Sequence, residues 1–261
     1  RALERNLTAA GVAQEIRYLD NDVGIFGKKP DKAVNIFDNR YGDCKDKATL
    51  MIAMLKEAGI QAAYAGVRTV DRGPVFWEVP HAQTNHIVTY VPAQPGIDED
   101  LFVDGTSRFG NMHFLPARVQ GVRALVLDGK GHRIIETPVL PPQASTLQTR
   151  LQAEMQGDTL LVEGRERWTG WFAKARRSRY NVEGKRAEEL ARSLGYRFPG
   201  VVLEQADFAG LETLEPEAGA TYRIMIPGRV RREADTLRVN PLSPSNLGRG
   251  MARKPERHYD L

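Results

Sequence analysis

The apolar positions change period twice along the chain. Residues 1–19 suit a helix end running into a short extended piece, Ile16-Arg17-Tyr18-Leu19. Residues 20–30 carry two glycines and a proline and read as loop. Residues 31–39 predict a short helix capped by Asp31, with Val34 and Phe37 three apart on one face. From residue 44 to 58 the pattern is helical again, and Gly59 supplies the stop. Its middle, residues 49–55, is nearly all apolar. The expectation is a helix buried on most sides, with charged ends reaching solvent.

Beyond that helix the period falls towards two. Strands are predicted at 60–69, 85–91, 101–105, 123–127 and 133–136, with a long loop at 70–84 and a turn region at 92–100. Residues 140–145 (LPPQAS) read as a linker. Residues 147–155 and 159–168 then alternate as a hairpin would. Helices follow at 171–180 and 184–194, and strands at 201–206, 221–226 and 236–239. The fold class expected is α+β: a core domain over residues 1–140, then a β-rich accessory domain with two helices over 146–261.

Composition narrows the picture only slightly. The chain has 261 residues, 41% hydrophobic and 27% charged, with no apolar run long enough to cross a bilayer as a helix. Net charge is +4, and the densest basic cluster, Lys174, Arg176, Arg177 and Arg179, reads as a solvated helix face. No zinc-finger spacing or aromatic RNA-binding motif accompanies it, so no nucleic-acid partner is expected. Arg1 opens the chain with no leader-like segment after it, an arrangement compatible with a targeting segment removed or lying outside this sequence. One cysteine leaves no internal disulfide to form.

That cysteine sits in Tyr41-Gly42-Asp43-Cys44-Lys45-Asp46. Free cysteine is usually a buried small hydrophobe, yet these charged neighbours favour an edge position. Asp43 stands where an N-cap belongs, and Asp46 can reach back in a capping box. Cys44 then opens the helix, where free N–H groups and the dipole favour an anion, one recognised route to a nucleophilic thiolate.

Of five histidines, His86 alone starts a clearly alternating strand; His81, His113, His132 and His258 lie in loops, a turn or near the chain end. The next strand ends in Asp104. A hairpin centred on Pro95 would set His86 directly opposite Asp104, close enough for the carboxylate to hold the imidazole. Nucleophile, base and orienter would then come from one helix start and one hairpin.

Tyr41-Gly42-Asp43-Cys44-Lys45-Asp46, Asn85-His86-Ile87-Val88 and Phe102-Val103-Asp104-Gly105-Thr106 together resemble the three motifs of bacterial transglutaminase-like proteins, over roughly residues 10–135. The resemblance implies a papain-like core with the cysteine at the start of a central helix packed on an antiparallel sheet. It implies catalytic roles for Cys44, His86 and Asp104. It also implies frequent export, hence a periplasmic or extracellular location. Where that family usually has Asp-Pro-Thr, this chain has Asp104-Gly105-Thr106.

The chemistry expected is cysteine-dependent acyl transfer on protein or peptide amides through a thioester, without cofactor or metal. Phe76, Trp77 and Asn85 are the candidate substrate contacts beside His86. A catalytically silent papain-like module for binding or assembly is the rival reading. A metal site from His81, His86, Asp98 and Asp100 lacks recognisable ligand spacing.

Overall fold

The computed structural model describes residues 11–20, 24–76, 83–129 and 131–239. It is α+β with antiparallel sheets and few helices, as the hydrophobic periods predict. Trp77, His81 and His258 lie outside the described residues, as does any helix before residue 11.

Two compact units emerge, and both are discontinuous in sequence. One comprises Arg1–Leu147, Arg167–Arg186 and Phe208–Gly219; the other comprises Gln148–Glu166, Ala187–Asp207 and Ala220–Leu261.

The first unit begins with helical residues 11–15 (α1) and the short β1 (Arg17–Tyr18), which pairs in parallel with β2 (Tyr41–Gly42). Between them lies α2 (Ala33–Asn39). Its N-cap is Lys32, not Asp31, and no side chain caps it. Asp31 instead accepts from Lys32 N–H and the Asn35 amide. The buried residue of α2 is Ile36, while Val34 and Phe37 are exposed. A helix this short shows one narrow face to the core, and Ile36 occupies it.

After β2 comes α3 (Cys44–Glu57), followed by Gly59 in the left-handed conformation the stop requires. Leu50, Met51 and Leu55 pack with Val91, Leu101 and Val103 in one apolar cluster. The helix is less wrapped than expected, since Ile52, Ala53 and Met54 are only partly buried. Its charged start is buried rather than solvated: Asp43, Asp46 and Lys47 are all covered, each with hydrogen-bonding partners.

A five-stranded sheet carries this helix, in the order β5 (Leu101–Val103), β4 (His86–Val91), β3 (Ala63–Val67), β6 (Arg123–Leu127), β7 (His132–Glu136), antiparallel throughout. Val88, Tyr90, Phe102, Ala124 and Val126 build a second apolar cluster. The β4–β5 register is displaced by two residues from a hairpin centred on Pro95. Tyr90 faces Phe102, and Asp104 is not the cross-strand partner of His86. The turn sets this: Gln94 bridges Ile97 around Gly96 at φ 84°, and Asp100 accepts from Ala93 N–H and the Tyr90 hydroxyl. An even shift preserves which face each side chain takes.

Residues 140–145 are anchored, not free. Thr146 and Thr169 exchange hydrogen bonds, and Trp171 N–H donates to the Ser145 hydroxyl at 3.0 Å. The helix α4 (Gly170–Arg179) carries the basic cluster, but Arg177 is buried. It donates to the carbonyls of Gly210, Glu215 and Glu217 at 2.8, 2.7 and 3.3 Å.

A four-stranded sheet has the order β10 (Val202–Ala209), β11 (Glu217–Ile226), β9 (Thr159–Thr169), β8 (Leu147–Gln156). Helix α5 (Arg186–Arg197) precedes β10, and β12 (Val230–Glu233) pairs with β13 (Thr236–Val239). Sequence alternation missed β12, a strand of four residues.

Candidate active site

The motif around Cys44 is explained residue by residue by the start of α3. Asp43 caps it, accepting from Lys45 and Asp46 N–H at 3.0 and 3.2 Å, while Asp46 accepts in return from Asp43 N–H at 3.1 Å. The second Asp46 oxygen takes Asp31 N–H at 3.0 Å, tying the loop before α2 to this turn. The Asp46 side chain lies so close that a Cβ on Gly42 would come within 2.6 Å of its own. Only glycine fits there. The Lys45 ammonium pairs with Asp43. Cys44 therefore opens a helix whose first turn is fully locked, and its thiol is partly accessible.

Lys47, three residues on, is buried and donates to the carbonyls of Ile16 (2.7 Å) and Ala13 (3.4 Å). It fastens the end of α1 and the entry to β1 onto the Cys44 helix. Burial pushes this lysine down to about 8, and the nearby Asp104 charge opposes the shift.

Asp104 lies one residue beyond β5, and its side chain has no exposure. Its Oδ1 accepts from Thr106 N–H at 2.9 Å and the Thr106 hydroxyl at 2.6 Å. Its Oδ2 meets His86 Nε2 at 3.1 Å. The backbone can turn here because Gly105 lets the chain press on α3; a Cβ at 105 would lie 3.3 Å from Met51 Cε and 3.5 Å from Lys47 Cβ.

His86 is buried, and burial alone would drive its pKa down. The hydrogen bonds and charges of Asp104 and Cys44 outweigh that, and His86 is pushed up to about 9. Asp104 shows the mirror image: burial would raise it, but His86 and Thr106 hold it at about 2. With Nε2 committed to Asp104, Nδ1 is the ring nitrogen left for the Cys44 thiol. Cys44, His86 and Asp104 are thus brought together, although by a diagonal reach rather than direct strand opposition.

The proposed substrate contacts divide. Asn85 is engaged: its Oδ1 accepts Thr69 N–H at 2.9 Å, and its amide donates to the Thr69 hydroxyl at 2.9 Å. Its visible hydrogen bonding anchors the approach to β4. Phe76 is exposed and held by its backbone, with N–H and C=O both bonded to the Gln83 side chain at 2.8 and 2.6 Å.

Two neighbours had no sequence signal. Tyr18, set by β1–β2 pairing opposite Gly42, feels the Cys44 charge. Burial, then the charges of Cys44, Asp20 and Asp43, push its phenol up to about 12, so it remains an O–H donor. Arg118 follows a loop and places Nη2 3.5 Å from Asp104 Oδ2 and 3.4 Å from the Thr106 hydroxyl. Both residues come from segments far from the motifs, and only the fold assembles them. Of the remaining histidines, His113 and His132 are exposed. Among the described residues, no cluster of three or more His, Cys, Asp or Glu side chains is arranged to hold a metal. No described helix is long and apolar enough to cross a membrane.

Residues 7–95, about a third of the chain, match the family model described as the transglutaminase-like superfamily. The matched stretch includes Cys44 and His86 and ends before Asp104. No curated protein and no solved structure matches the chain.

Proposed function

We propose that the protein, whose residues 7–95 match the transglutaminase-like family model, is a cysteine acyltransferase or amidase acting on protein or peptide amides. The observation that carries this reading is His86 held by Asp104 at 3.1 Å and electrostatically coupled to Cys44 at the start of α3.

The Cys44 thiolate attacks the carboxamide carbon and a C–S bond forms. The C–N bond then breaks, and the leaving amine takes its proton from the His86 imidazolium. A second nucleophile, deprotonated by His86, attacks the thioester carbon, and the C–S bond breaks to regenerate thiolate. An amine acceptor gives a cross-link; water gives deamidation or peptide hydrolysis. The Cys44 backbone N–H at the open helix end is one oxyanion donor, and the Tyr18 hydroxyl is available as a second. Asp104 keeps the imidazole oriented and stabilises its charged form. We place this chemistry in the periplasm or outside the cell, on the motif resemblance.

The direct test incubates the protein with N-blocked glutaminyl-glycine, with and without hydroxylamine. The expected result is a Cys44 acyl adduct by intact mass, converted to hydroxamate by hydroxylamine and absent in Cys44→Ser. Ammonia release without hydroxylamine would assign the water-accepting branch. No adduct across glutamine and peptide donors would favour a silent binding module.

A further inference from the structure

Arg118 is an unusual neighbour for a catalytic carboxylate. Only its Nη2 is occupied, anchored between Asp104 Oδ2 and the Thr106 hydroxyl. Among the described residues, Nε and Nη1 have no partner, and the side chain is 50% exposed. Asp71 is close enough to feel the guanidinium, but its carboxylate is hydrogen-bonded to Thr69 and makes no ion pair with Arg118. Tyr18 feels the charges of both Cys44 and Arg118, so the thiol and the guanidinium share one neighbourhood. A guanidinium pinned at Nη2, with Nε and Nη1 unpaired and the side chain half exposed, keeps donors and positive charge for a carboxylate arriving beside Asp104. Little side-chain entropy remains to be lost when one binds.

Resting on the acyl-transfer reading above, we propose that Arg118 reads a carboxylate on the acyl donor, and that the substrates are amides with a carboxylate close to the reacting carbonyl. Arg118 is then a specificity residue, and neutral amides are poorer donors than their anionic counterparts.

Two alkylating reagents of nearly the same shape test this. Iodoacetamide is neutral and iodoacetate carries the carboxylate; each forms a C–S bond at Cys44 and releases iodide. The rate ratio of iodoacetate to iodoacetamide is measured at pH 6 and low salt in the parent, Arg118→Gln and Arg118→Lys. Any preference due to the His86 imidazolium is common to all three. The expected result is a ratio at least about fivefold lower in Arg118→Gln, with most of it retained in Arg118→Lys. A ratio unchanged in Arg118→Gln would overturn the proposal, whether or not both rates fall together, because a joint fall marks a residue acting only through Asp104.

A second arm separates the sources of the carboxylate by protection of Cys44 from iodoacetamide. The probes are N-blocked glutaminyl-glycine acid, its neutral amide, and N-blocked glutaminyl-glutamate with an amidated C-terminus. The anionic probe that protects best in the parent, and loses its advantage in Arg118→Gln, names a C-terminal or a side-chain carboxylate. Equal protection by the neutral amide would contradict the proposal. Failure of the underlying reading looks different: iodoacetamide labelling would be slow and indifferent to His86→Ala, whatever the ratio.

Discussion

The first turn of α3 and the middle of α4 both bury charge, and they do so to opposite ends. Arg177 on α4 spends its guanidinium on three backbone carbonyls and is 1% exposed. It closes a loop, and none of those acceptors can do chemistry. Around Cys44 the buried charges are also satisfied, but the network is left open at its ends. His86 gives one nitrogen to Asp104 and turns the other to a partly accessible thiol, while Arg118 carries the network out to solvent. Burial and pairing alone therefore do not mark a functional charge. An unspent bonding position that faces the surface does.

The contrast can be broken first at Arg177. Arg177→Ala leaves three carbonyls without their donor, and should lower unfolding free energy by about 3–5 kcal/mol in urea titration. The rate of Cys44 alkylation under native conditions should be unaffected. A coupled loss of reactivity would erase the distinction between the two networks.

The next effect is in pH. The folded pKa of His86 is raised from 6.5 to about 9, so its contribution is complete below about 6.5 and is lost as pH rises through about 9. Asp104 is lowered from 3.8 to about 2, so its contribution is complete above about 4 and lost as pH falls through about 2. The stability gap between parent and His86→Ala should be on the order of 2–3 kcal/mol at pH 6 and should shrink by pH 10. A gap that widens with pH would mean His86 is held neutral.

Smaller effects sharpen the local account. Gly42→Ala forces a Cβ into the Asp46 side chain, and should cost about 2 kcal/mol through the lost capping box, with slower alkylation of Cys44. Asp31→Ala should cost no more than about 0.5 kcal/mol by thermal unfolding, because its carboxylate makes only exposed hydrogen bonds.

How much of this the sequence carried depended on range. The capping box, the helix from Cys44 and the strand from His86 rest on neighbours within a few residues, and all appear in the fold. The pairing of His86 with Asp104 was legible as a pair but not as a register, because the turn around Gly96 and the Asp100 bonds fix the offset. Arg177 looked like its cluster neighbours; only packing against residues 210–217 tells them apart. Tyr18 and Arg118 enter through long-range contacts that no local pattern reports.

The central claim, that His86 activates Cys44, is tested most directly by iodoacetamide labelling against pH in the parent and His86→Ala. With one cysteine in the chain, every label reports the same sulfur. The parent should label at least about tenfold faster than His86→Ala at pH 6, and the difference should close as pH passes about 9, where His86 gives up its proton. Equal rates at pH 6 would contradict the account and leave a folded core without an activated nucleophile.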